Sequence, residues 1–212
     1  KRPGMGTIIG ISFDYDATNF HLRWNLENQV ADFKTKAGIS LDKEQTHQWL
    51  ESLKNSIGPP LTSARTLGAL GGIVASRIAK EFGFGGPSFT VSQEEASGLR
   101  ALEIGVRSLQ RFETDSVLVG AIDLAGDIRN VIADHRFRPW SKSGDIFSFD
   151  YRADGSLPGE GAAALVLKRM DDAFTDGDRI YAVVDGFGSS GKSVSDSSAV
   201  STYVRSLNGL FS

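Results

Sequence analysis

The stretch 86-GPSFTVSQEEASGLRALEIGVRSL-109 decides how this chain folds. It reads as turn, strand, sharp bend and helix. Gly85-Gly86-Pro87 breaks the preceding segment, because glycine permits backbone angles closed to other residues and proline blocks helix continuation. Phe89-Thr90-Val91 favours a strand, since aromatic and branched side chains suit a pleated surface. Leu99, Leu102, Val106 and Leu109 then recur on one face of a helix. A strand entering a helix through a tight bend presents side chains at the helix's positive end, which lowers the pKa of an acid or thiol. Gln93, Glu94 and Glu95 occupy that bend. Two roles are open for Glu95. One is chemical, at the helix opening. The other is structural: Ser92-x-x-Glu95 is a capping box, in which the two side chains satisfy free backbone N–H groups.

A second patterned stretch is 149-FDYRADGSLPGEGAAALVLKRMDDAFTDGDRIYA-182. Gly159 and Gly161 flank a bend, and Ala163 to Leu167 reads as a buried strand. Asp171 to Phe174 is a short helix, and Ile180 to Val184 is the next strand. Asp150, Asp154 and Glu160 fit either paired carboxylates for acid–base chemistry or polar anchors that hold a loop.

Both stretches resemble the β-ketoacyl synthases, the condensing enzymes of fatty-acid and polyketide assembly. Against their pattern GPSxTVDTACSSSLxAL, the residues Gly86-Pro87-Ser88, Thr90-Val91, Ser97, Leu99 and Ala101-Leu102 match. Against FDxxADGxxxGEGAxxxVLKRxxDAxxDGDxIYA, the matches are Phe149-Asp150, Ala153-Asp154-Gly155, Gly159-Glu160-Gly161-Ala162, Val166-Leu167-Lys168-Arg169, Asp172-Ala173 and Gly177-Asp178. The nucleophilic cysteine of the family falls on Glu95. A carboxylate attacking a thioester gives a hydrolysable anhydride, so acyl transfer has no sensible path through it. No other thiol substitutes, because the chain has no cysteine. Such degeneration resembles the chain-length factors, non-condensing partners of active synthases, and most of all those of polyunsaturated fatty acid synthases. Because the family condenses with cysteine and histidines, the resemblance favours a loop-anchoring role for Asp150, Asp154, Gly159, Glu160 and Gly161.

Composition narrows the classes further. The 212 residues suffice for one large domain with a sizeable core. A net charge of −3 with interspersed signs argues against a nucleic-acid surface, which needs a basic stripe. No apolar run approaches the ~20 residues that span a bilayer. The start, Lys1-Arg2-Pro3-Gly4, leads into a strand pattern rather than a signal peptide. A cytoplasmic, soluble protein is the expectation, and the absence of an initial methionine fits a piece cut from a longer polypeptide.

Along the chain, Thr7 to Phe13 forms a buried strand, and Asp14 to Arg23 a polar loop. Trp24, Leu26, Val30, Phe33 and Ala37 keep near-helical spacing up to Gly38. Asp42 caps a further helix, with Trp49, Leu50, Leu53 and Ile57 inward and Gly58-Pro59-Pro60 at its end. Leu67 to Phe82 is one helix with Leu70, Val74, Ile78 and Phe82 as its apolar row. Its glycines and alanines suit close packing; a phosphate loop is rejected because no strand precedes it. Asp115 to Leu124 is a buried strand. Arg129, Arg136 and Arg138 give the next segment a basic character, read as a solvated surface, with an acidic carrier as the alternative. His21, His47 and His135 share no metal-binding spacing, so no metal is expected. Gly186 to Ser198 is a Gly/Ser-rich connection before an amphipathic helix through Val200, Tyr203, Val204, Leu207 and Phe211.

The resemblance implies an α/β fold of thiolase-like, layered type, with a mixed five-stranded sheet between helices. It covers mainly the N-terminal half of a ketosynthase domain. Residues 1–185 correspond to that half, and 186–212 to the junction and the start of the second half, whose catalytic histidine motifs do not occur here. It further implies that Phe89, Thr90 and Val91 form a dimer-interface strand pairing with an active ketosynthase. The function implied is that of a non-catalytic chain-length factor shaping an acyl tunnel in polyunsaturated fatty acid or polyketide synthesis. No cofactor is expected on this chain; the phosphopantetheine thioester belongs to a partner acyl carrier protein. The rival readings are a decarboxylase-type ketosynthase acting on malonyl-carrier protein, and a purely structural module.

Overall fold

The computed structural model describes residues 2–11, 16–60, 62–68, 70–124, 128–137, 139–148, 150–189, 204 and 207–208. Ser12, Phe13, Arg138, Phe149 and most of the 186–212 segment, including all of its expected helix but Val204, Leu207 and Asn208, lie outside the described residues.

Four strands form one mixed sheet: β1 (Met5–Ile11), β2 (Ser88–Val91), β3 (Ser116–Asp123) and β4 (Gly161–Lys168), in the order β2-β1-β3-β4. β1 runs parallel to both neighbours, with Ile8 opposite Phe89 and Val119. β4 returns antiparallel, with Leu167 opposite Val117 and Leu165 opposite Val119. Two parallel pairings require crossovers. The second is made by α5 (Ser97–Gln110), which carries the chain from β2 over β1 to β3.

The core lies between α5 and the sheet. Ile8, Ala101, Leu109, Val117 and Val119 are buried together, with Val91, Leu102, Ile104 and Leu167 packed on them. Glycine sets how closely the helix descends. A Cβ on Gly10 of β1 would lie 2.6 Å from the carbonyl carbon of Ser97, and one on Gly98 would lie 2.9 Å from the Cβ of Ala121. Only hydrogen at both positions lets the opening turn of α5 rest on the sheet.

On the opposite face, the expected single helix at 67–82 is two: α3 (Ser63–Gly68) and α4 (Gly72–Phe82). Gly71-Gly72 makes the break, because each glycine in a helix interior costs about 1 kcal/mol relative to alanine. The packing face also differs from expectation. Ala75 and Ala79 are buried against the strands, while Leu70, Val74 and Phe82 point outward. Small residues permit the close approach, and the row of larger apolar residues is left on the surface.

Before α3, two helices form a hairpin: α1 (Asp16–Ala37) and α2 (Lys43–Ile57). α1 starts inside the stretch read as a polar loop. Asp42 caps α2 as expected, accepting from the Gln45 N–H at 2.8 Å while the Gln45 side chain accepts from the Asp42 N–H. Leu26, Val30 and Leu50 form a separate small core with Trp49, Leu53 and Ile57. Arg23 donates to the carbonyls of Lys54 and Gly58, placing a cation at the negative end of α2. Trp24, which shares the near-helical spacing with Leu26 and Val30, is 87% exposed.

After β3, α6 (Ile128–Phe137) and α7 (Met170–Asp176) complete the described elements. Two expectations fail at this end. β4 is not buried: Leu165 is 53% and Val166 66% exposed, because α5 reaches only as far as Leu167. The fifth strand at Ile180–Val184 is not formed; the stretch is irregular, and Tyr181 is 83% exposed. Strand propensity records how well side chains fit a partner surface, and this stretch pairs with no strand among the described residues.

Candidate functional site at the β2–α5 bend

β2 ends at Val91, and the helix begins six residues later at Ser97. Between them the backbone folds back on itself. Gln93 and Glu95 form a backbone bridge, the Ala96 N–H donates to the Gln93 carbonyl at 3.0 Å, and Glu94 takes a left-handed φ of +49°. A non-glycine residue in that region stores about 1–3 kcal/mol of strain and persists only where neighbours enforce it.

The enforcing group is Ser97. Its Oγ accepts from the Gln93 N–H at 2.8 Å and donates to the Glu94 carbonyl at 2.5 Å. The side chain is 5% exposed, held between the bend and the sheet. The expected capping box of Ser92 and Glu95 does not stand at the start of α5. The N-cap is Ala96, which makes no side-chain hydrogen bond, so Ser92 and Glu95 lie too far upstream. The serine that closes the turn is therefore inside the helix. Sequence reading missed this role, although Ser97 was among the matched positions and offered the signal.

Gln93, Glu94 and Glu95 are all exposed at the opening of α5, Glu95 immediately before the N-cap. The free N–H groups and dipole there favour negative charge. Phe89, Thr90 and Val91 lead into the bend from an edge strand, whose far side has no partner among the described residues. Further along α5, Glu103 is buried between Arg100 at 2.6 Å and Arg107 at 2.7 Å. The hydrogen bond from Arg100, and then that from Arg107, holds its carboxyl below the usual range against the opposing effect of burial.

The second motif forms a self-bonded loop. Asp154 accepts from Ser141 Oγ at 2.6 Å, from the Ser143 N–H at 3.0 Å and from the Lys142 N–H at 3.1 Å. Led by the Ser141 bond, these lower its pKa to about 2. Gly155 has φ +154°, and a Cβ there would lie 2.4 Å from the Ser141 nitrogen. Asp150 accepts from the Arg152 N–H at 2.9 Å and from its guanidinium at 3.0 and 3.1 Å, which lowers its pKa, while Arg152 lies over the Phe147 ring. Glu160 is exposed; Gly159 and Gly161 border open space, and Gly161 begins β4.

The three histidines lie on different elements. His21 is exposed on α1, His47 lies on α2, and His135 at the end of α6 accepts from the Trp140 N–H at 3.1 Å. Among the described residues, no group of three or more His, Cys, Asp or Glu side chains is arranged to hold a metal. No described helix is long and apolar enough to cross a membrane.

Residues 26–173 match the family model for the β-ketoacyl synthase N-terminal domain. The chain belongs to the β-ketoacyl synthases. It is 41% identical over 186 residues to a polyunsaturated fatty acid synthase polypeptide of Thraustochytrium sp. (strain ATCC 26185 / S-3), covering 87% of this chain and 8% of that protein. A highly reducing polyketide synthase of Dothideomycetidae sp. (strain 11243) is 40% identical over 119 residues, 56% of this chain and 4% of that one. Among solved structures, the PfaC keto synthase–chain length factor superposes with a TM-score of 0.70 at 25% identity, over 88% of this chain and 20% of its own. A ketosynthase from module 6 of the bacillaene synthase of Bacillus subtilis 168 gives 0.61 at 25% identity, over 92% and 26%. This β-ketoacyl synthase chain thus spans less than a tenth of the length of these curated relatives. It has the thiolase-like fold of the N-terminal half of a ketosynthase, and is a ketosynthase-type domain similar to those of polyunsaturated fatty acid and polyketide synthases.

Proposed function

We propose that this chain is a non-condensing chain-length factor, which pairs with an active ketosynthase and helps shape its acyl tunnel in fatty-acid or polyketide assembly. One observation carries the reading. Glu95, which the motif resemblance aligns with the family's nucleophile, is exposed at the opening of α5, and the chain has no cysteine to replace it. A carboxylate there forms no stable acyl-thioester, and so holds no acyl chain for condensation. The likeness to a polyunsaturated fatty acid synthase and to a keto synthase–chain length factor supports this choice.

The partner docks on β2. Ser88-Phe89-Thr90-Val91 is an edge strand without a charged residue, whereas edges meant to stay unpaired are usually blunted by charge. The phosphopantetheine thioester is delivered by an acyl carrier protein to the partner's cysteine. The test is to incubate the protein with acyl-carrier thioester, alone and with an active ketosynthase, and to measure intact masses. The expected result is an acyl adduct on the partner only; a covalent adduct on this chain overturns the proposal.

The decarboxylase reading has one observation in its favour: Gln93 is bridged to Glu95 within the same bend. Loss of malonyl-carrier decarboxylation on Gln93→Ala would favour it.

A further inference from the structure

We draw no further inference here: the strongest candidate, the exposed apolar surface of the α1–α2 hairpin at Trp24, is an unpartnered face, and nothing in the structure shows what covers it.

Discussion

Replacing Ser97 with alanine tests what holds the β2–α5 bend. The hydroxyl makes two hydrogen bonds to backbone groups of the bend, one as acceptor and one as donor. Each is worth about 0.5–1.5 kcal/mol net, so the pair contributes about 1–3 kcal/mol. Gln93 and Glu94 are exposed, so water recovers part of this, and the expected loss is about 1–2 kcal/mol. In a domain of this size each kcal/mol moves the melting point by about 2–4 °C, so Ser97→Ala should melt about 2–8 °C lower. Its urea midpoint should fall with an unchanged slope, because no core surface is lost. Glu94→Gly should move the other way. It removes a left-handed penalty of about 1–2 kcal/mol and adds about 0.5–1 kcal/mol of backbone entropy, leaving a gain of up to about 1.5 kcal/mol. The opposite signs are the test. If Ser97→Ala costs less than about 0.5 kcal/mol, within the range of ordinary surface substitutions, and Glu94→Gly destabilises, Ser97 is not the clasp.

Gly10→Ala should destabilise by about 1–3 kcal/mol, since its Cβ meets the Ser97 backbone and no rotamer relieves a backbone clash; urea melts measure it. Arg169→Ala should cost about 2–4 kcal/mol: its guanidinium donates to the carbonyls of Leu109 and Thr114, pairs with Asp172 and stacks on Phe112, and Arg169→Lys should recover little because a point charge cannot span both carbonyls. Asp154 has a folded pKa of about 2 against an ordinary 3.8, so its contribution is complete above the unfolded value and is lost as pH falls from about 4 to 2; Asp154→Asn should flatten that part of an acid-unfolding curve. Glu95→Cys should place a thiol at a helix N-terminus, with its alkylation midpoint below the ordinary thiol pKa of about 8.5; a midpoint at or above that value would show that the position lacks the expected field.

The strand–bend–helix unit was legible because its signals are local: Gly-Pro before, branched residues within, and a helical apolar period after. The cap at Asp42 was equally legible, since capping needs only neighbours in sequence. The errors arise where distant parts of the chain decide. Leu70, Val74 and Phe82 have a helical period, but Ala75 and Ala79 face the strands, because the sheet demands close approach there. Ala163 to Leu167 reads as buried, but burial requires a covering layer that sequence pattern does not reveal. Ser97 was visible as a matched residue, yet its role depends on a positive φ at Glu94, which only the folded bend displays.

On the proposed reading, the same bend explains how a synthase fold can outlast its nucleophile. The groups that define the bend are the Ser97 hydroxyl, the absent side chains at Gly10 and Gly98, and the methyl of Ala121 beneath the helix. Glu95 joins the bend through its backbone bridge to Gln93, and the residue lies exposed outside the packed layer. A cysteine at that position could therefore be exchanged without creating a cavity, burying a charge or breaking the Ser97 hydrogen bonds, and carboxylates at a helix N-terminus are favoured. Stability places little constraint on the nucleophile, whereas it constrains Gly10 and Ser97 strongly. A partner chosen for its shape rather than its chemistry, as proposed for this chain, would keep the latter residues and let the former drift.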